Sequence, residues 1–304
     1  MNKRHLTATL ALGAVASLTL AGCASGNQTE GGSQEGGTES LGTITLGFLP
    51  SWTDGLSTAY LLEDQLTKLG YTVEMEELTE AGPLYTGLAQ GDVDIYPSAW
   101  PELTHASYME KYGDQIEDLG AYYEGAKLTI AVPEYVDIDS IEDLAGNADR
   151  FDGKIIGIEP GAGLTAQTQD SMIPAYELGD EYELVTSSTA AMLAELDSKL
   201  AAGENVAVTL WRPHWAYDAY DIKDLADPEG TLGDAESIHT FTRAGFDTDF
   251  PEVNEWLSGF RMDSDMLFSL ENAMYNTDQQ VSDYTDIVRA WMDENQEWVD
   301  SLTA

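Results

Sequence analysis

Apolar and polar residues alternate along Thr43-Ile44-Thr45-Leu46-Gly47-Phe48-Leu49, the two-residue period of a strand with one buried face. From Leu56 onward the period changes. Apolar residues fall at 59, 62, 66 and 69, which lie on one face of a helix, and Gly70 supplies a stop signal. The alternation continues with predicted strands at 71–78 and 93–99 and predicted helices at 83–90 and 101–112. Strands and helices in this order argue for an α/β unit with a mostly parallel sheet.

A second run of the same kind opens at Lys127-Leu128-Thr129-Ile130-Ala131-Val132-Pro133, read as a crossover strand. Ser140-Ile141-Glu142-Asp143 then carries a capping-box start for a short helix. Strands are predicted at 154–158, 182–186 and 206–210, with helices at 164–178 and 189–202 between them. Ser237-Ile238-His239-Thr240-Phe241-Thr242 is the expected return crossing, and helical patterns around 251–260, 264–275 and 281–301 pack back on the first block. A chain of roughly 260 patterned residues is more than one core usually serves. The expected division is therefore one lobe from 42–131 plus 238–304 and a second lobe from 132–237. Two α/β lobes joined by two crossings is the plan of binding proteins that close around a ligand by hinge bending.

The first residues obey a different grammar. Lys3 and Arg4 precede an apolar run from Leu6 to about Leu20, and Leu20-Ala21-Gly22-Cys23 ends it. These are the charged region, apolar region and small-residue cleavage site of a secretory signal, assigned to residues 1–22. Cys23 is the only cysteine, so no internal disulfide can form. Its position matches the lipobox of bacterial lipoproteins, a resemblance that implies cleavage before Cys23 and acylation of its sulfur. Residues 23–41 are then a lipidated cysteine and a Gly/Ser/Thr/Glu-rich flexible tether.

Composition narrows the partners. A formal net charge of −42, from 55 acids against 13 Lys and Arg, makes nucleic-acid binding improbable. The acids are spread over nearly every segment, which is the pattern of a solvated surface suited to high salt or low pH rather than of one cation-attracting patch. Catalysis finds little footing. The sequence holds no Ser-His-Asp order, no metal-spaced His/Cys cluster and no phosphate loop, and no cofactor is implied. His214 and His239 read as isolated.

Three tryptophans fall where predicted strands end: Trp52 after the first, Trp100 after the third and Trp211 after the last strand of the second lobe. Ligands of open α/β sheets sit outside the carboxyl ends of strands, so these rings should face one cleft. A box of aromatic faces suits a quaternary ammonium, which has no hydrogen bond to donate and is held by cation–π attraction. His105, five residues past Trp100, lies close to the same cleft. Gly161-Ala162-Gly163-Leu164 opens a helix after a strand, where free backbone N–H groups can receive an anion.

Ser51-Trp52-Thr53-Asp54, Ser98-Ala99-Trp100-Pro101-Glu102-Leu103-Thr104-His105 and Thr209-Leu210-Trp211-Arg212-Pro213-His214-Trp215 resemble the glycine betaine-binding proteins of ABC importers. Glu80-Ala81-Gly82-Pro83, Ser140-Ile141-Glu142-Asp143-Leu144 and Ala235-Glu236-Ser237-Ile238-His239-Thr240 agree with the same family. The resemblance implies a type II periplasmic-binding-protein-like fold, with two hinge crossings and a ligand cleft between the lobes. It implies that Trp52, Trp100 and Trp211 cage a trimethylammonium group and that Trp215 is left to packing. It also implies that His105 with the Gly163 and Leu164 amides holds the carboxylate of glycine betaine or proline betaine. The partners that follow are an importer permease and ATPase, and the membrane through the lipid anchor at its extracellular face. Choline or carnitine is the alternative ligand, and a surface-anchored hydrolase working through a carboxylate pair is the alternative of another class. Arg212 is atypical for the motif; turned inward it would repel an ammonium, whereas facing solvent or paired with a carboxylate it would not.

Overall fold

The computed structural model describes residues 40–276 and 281–302. Cys23, the signal segment and most of the tether therefore lie outside the described residues. The strands are β1 (Thr43–Phe48), β2 (Thr72–Glu77), β3 (Ile95–Ala99), β4 (Ile116–Pro133), β5 (Lys154–Ile156), β6 (Glu183–Val185), β7 (Val208–Arg212), β8 (Ile222–Asp224) and β9 (Glu236–Arg243).

Hydrogen bonding links them in the order β2-β1-β3-β9-β4-β7-β5-β6, with β8 on β4. β4 is the element that makes this one path out of two sheets. Its first stretch, Ile116 to Ala126, pairs with β9, and its second, Lys127 to Ala131, pairs with β7. The chain thus leaves the first lobe along β4 and returns along β9, giving the two-lobed α/β fold expected from sequence.

The sheet is mixed rather than mostly parallel. β1 runs parallel to β2 and β3, and β5 parallel to β6 and β7, but β9 is antiparallel to β3 and β4, and β4 to β7 and β8. The cause is topological: a strand that exits a lobe and a strand that re-enters beside it must run in opposite directions. β4 also begins eleven residues before the stretch recognised in sequence, because 116–126 is only partly buried and carries no clean alternation. Its register against β9 slips three times between Asp118 and Ala126, and Gly120 and Gly125 sit at φ +94° and +93°. Those two positions need glycine, since an L side chain is strained there.

Helix Thr53–Lys68 packs Leu62 and Leu66 against Ile44, Leu46 and Ile95 of the first sheet, and Val253 and Leu257 of helix Pro251–Gly259 complete that cluster. Ser188 caps helix Thr189–Ala202 by accepting from the Ala191 N–H, and Gly203 ends it in the left-handed conformation. The capping box of Ser140 and Asp143 is present at the start of the short 3₁₀ helix Ile141–Leu144. Two predicted helices are interrupted. The 164–178 stretch is Gly163–Gln167, a π turn at Thr168–Met172 and Ile173–Ala175, where Pro174 lacks the N–H an α-helix needs. The 281–301 stretch is Thr285–Glu294 followed by Gln296–Leu302.

Candidate functional site

β1 ends at Phe48 and a short loop delivers Trp52 to the N-cap of helix Thr53–Lys68. β3 ends at Ala99, so Trp100 is the first residue off the strand. Trp211 differs from its sequence-based placement. It lies within β7, directly opposite Leu128 of β4, because the strand runs on to Arg212. All three indoles nevertheless line one cavity, together with His105, Gly163 and Leu164. Asp54, Thr104, Leu128, Ile158 and Ala162 complete the wall. The six ligand-site residues singled out from sequence are thus brought together.

His105 is not inside a helix; it is the N-cap of helix Ala106–Tyr112, and the turn 101–105 precedes it. It is 1% exposed. Its Nδ1 accepts from the Trp100 backbone N–H at 3.0 Å, and the Tyr85 hydroxyl lies 3.0 Å from the same atom. A backbone N–H can only donate, so Nδ1 carries no proton and the neutral ring bears its hydrogen on Nε2. Burial lowers the pKa to about 3. His105 is therefore a neutral Nε2–H donor at the cavity wall, able to bind a carboxylate without placing a cation beside an ammonium. Its ring also stacks on Trp52 at 5.7 Å between centroids and 17° between planes.

Gly163 and Leu164 are the first two residues of their helix, so their N–H groups have no acceptor within it. Gly163 is also obligatory for a steric reason. A Cβ there would fall on the Thr104 backbone carbonyl, which belongs to the opposite side of the cleft. The loop bearing Trp100 and His105 is pinned by Glu236 at the start of β9, whose carboxylate accepts from Leu103 N at 3.0 Å, from Thr104 N and from Thr104 Oγ1.

Two further carboxylates were not recognised from sequence. Asp54 Oδ2 accepts from Ser98 Oγ at 2.5 Å and from Trp100 Nε1 at 3.2 Å, and burial raises its pKa against the pull of those bonds. Glu159 accepts from Trp52 Nε1 at 3.3 Å. The signal for Asp54 was its place two residues after Trp52; Glu159 was one of 55 acids in the chain and carried no mark of its own. The Trp211 Nε1, by contrast, has no hydrogen-bond partner among the described residues.

The rest of the tryptophan motif is structural. Trp215 is absent from the cavity wall and stacks on Tyr275 at 6.0 Å and 17°. Arg212 pairs with Asp224 at 2.8 Å and lies 3.5 Å over the Tyr217 ring, which satisfies its charge away from the cavity. His214 and His239 are not isolated. His214 is fully buried, accepts from the Ala216 N–H and meets Trp211 in a T-shaped pair at 4.6 Å. His239 lies between Asp118 at 2.8 Å and Glu102 at 3.5 Å, and the Asp118 hydrogen bond raises its pKa.

Known proteins place this arrangement. Residues 42–294 match the family described as the substrate binding domain of ABC-type glycine betaine transport systems. A glycine betaine/carnitine transport binding protein of Listeria monocytogenes is 41% identical over 107 residues, covering 35% of this chain and 35% of that protein. A glycine betaine-binding periplasmic protein of Dickeya dadantii is 30% identical over 212 residues, covering 64% of each chain. The chain thus aligns with less than two thirds of the length of these two relatives. Among solved structures, a glycine betaine/L-proline-binding protein of Borrelia burgdorferi is 34% identical with a TM-score of 0.77, covering 84% of this chain and 94% of that one. A lactococcal protein in its closed form with glycine betaine is 29% identical with a TM-score of 0.79, covering 86% and 99%. Domains of this class capture solute for a transporter and do not transform it. The chain belongs to the family of substrate-binding domains of ABC-type glycine betaine transport systems.

Proposed function

We propose that the cleft takes glycine betaine or proline betaine, with Trp52, Trp100 and Trp211 around the trimethylammonium group. His105 Nε2–H and the Gly163 and Leu164 amides receive the carboxylate. The lobes 42–131 plus 238–304 and 132–237 close on the solute and present it to an importer permease and its ATPase for osmoprotective uptake. Cys23 is the acylated anchor that keeps the protein at the outer face of the membrane. The observation that carries the ligand reading is the convergence of three indoles and an uncharged imidazole on one cavity. Ring faces serve a cation with no hydrogens to donate, and neutral donors serve an anion without repelling that cation.

Calorimetry with glycine betaine, proline betaine, carnitine and choline tests it. Choline has no carboxylate, so the donors go poorly satisfied, a loss of roughly 1–3 kcal/mol. Betaines should bind about tenfold or more tighter. Choline binding as tightly as glycine betaine would overturn the carboxylate pocket. The anchor is tested separately: mass spectrometry should find a diacylated Cys23 at the mature N-terminus and no acylation in Cys23→Ser. An unmodified chain starting beyond residue 23 would remove the anchor.

A further inference from the structure

Glu159 is 5% exposed, yet its carboxylate has donors from both sides of the cleft. It follows β5 of the second sheet, three residues past Ile156. On its own side it accepts from Thr189 N at 3.0 Å and Thr189 Oγ1 at 2.8 Å, at the N-terminus of the helix Thr189–Ala202, where a negative charge is favoured. From the first lobe it accepts Ser51 Oγ at 2.9 Å and Trp52 Nε1 at 3.3 Å. The two oxygens each take one donor from either lobe. While the cleft is shut and water is excluded, a carboxylate so buried needs both sets of donors, because losing one pair there strands a charge; opening returns it to water.

We propose that Glu159 is the latch of lobe closure and the positioning residue for Trp52. The bonds to Thr189 lie within one lobe and persist when the cleft opens. The bonds to Ser51 and Trp52 cross between the lobes and form only on closure. Closure thereby fixes the Trp52 indole in its plane, stacked on His105, at the moment the second lobe arrives. Charge-assisted bonds of this kind are strong, and here they are spent on the closed state rather than on the ligand itself. The signature is kinetic: the latch slows escape and leaves first encounter untouched. The kinetic part rests on the ligand reading above, whereas the closure part does not.

The test measures glycine betaine association and dissociation by stopped-flow tryptophan fluorescence, with hydrogen exchange of peptides spanning 49–55 in the ligand-free full chain. Glu159→Gln keeps the shape but loses the charge and one acceptor. It should speed dissociation about tenfold, the worth of one charge-assisted bond, with association within about twofold of wild type. The latch also sets how much of the ligand-free chain is closed at any moment, so exchange at 49–55 should quicken in the absence of any ligand. Ser51→Ala removes one cross-lobe donor from the other side and should speed dissociation in the same sense by a smaller factor. It also reads the latch if Glu159→Gln fails to fold. Unchanged dissociation and exchange in the folded variants would overturn the latch, as would a loss confined to association. If wild type bound no quaternary ammonium, the ligand reading would fall while the exchange experiment still decided the latch.

Discussion

The two walls of the cleft are built on different terms. On the first-lobe wall, Trp100 is tied by its indole N–H to Asp54 and by its backbone N–H to His105, whose own ring is held by Tyr85 and stacked on Trp52. Both N–H groups of Trp100 and the Nδ1 of His105 are committed there. On the second-lobe wall, the Trp211 N–H has no partner among the described residues, and the ring is placed by strand pairing and by its T-shaped contact with His214. The second lobe otherwise supplies backbone amides at a bare helix start. Apart from the Trp52 indole, which Glu159 fixes on closure, one wall is therefore organised before the ligand arrives and the other completes it, so that ordering cost falls mainly outside the binding step.

The hardest blow to that division is Gly163→Ala. The new methyl would collide with the Thr104 carbonyl, and neither partner is a flexible side chain, so the walls cannot meet. Affinity for glycine betaine should fall by about 100-fold or more, adding the steric penalty to the loss of two anion donors. Calorimetry on the folded variant reads it, and an affinity within threefold of wild type would mean that the walls do not close at this point.

A pair of ring exchanges asks whether the walls differ as described. Trp100→Phe gives up both a cation-facing ring system and the bond to Asp54, and should weaken binding about tenfold or more. Trp211→Phe gives up ring area alone and should cost about threefold, within the range of cation–π contributions. If Trp211→Phe proved the more damaging, its unpartnered N–H would be a ligand donor and the contrast between the walls would reverse.

The gentlest test concerns His105. Burial holds its pKa at about 3, below the unfolded value near 6.5, so the folded state binds fewer protons than the unfolded state between those values. Its contribution to stability is present above about pH 6.5 and is lost as pH falls toward 3, by up to ~1.4 kcal/mol per pH unit. His214, also lowered to about 3 by burial, acts in the same sense. Between pH 6 and 8 the His105 ring should show no titration by NMR. A midpoint near 6.5 would make it an imidazolium donor and undo the neutral pocket.

Much of this was legible in the chain. The periodicities of 43–49 and 56–69 give strand and helix because one face of each is buried, and the three tryptophans stand at or beside strand ends, where the fold gathers them. What the chain alone does not show is set by partners distant in sequence. The stretch 116–126 is a strand because β9 lies alongside it, not because its own pattern demands one. Trp211 falls within β7 because that strand keeps pairing with β4 to its last residue. Asp54 and Glu159 are visible as site residues only once the indole N–H groups they receive are in place.

β4 and β9 carry a further consequence, for the order in which the molecule is assembled. The first sheet pairs Ile95 with Thr242 and Ile116 with Arg243, so its completion waits on residues made more than a hundred positions later. The second lobe, spelled by the chain between these strands, has only nearer neighbours to find. Closing loops of such length is slow, and folding rates fall as contacts become less local. Trp100 and His105, which follow β3, thus stand beside a sheet edge that only the late strand β9 completes, whereas Trp52 follows β1, whose partners β2 and β3 are close in the chain.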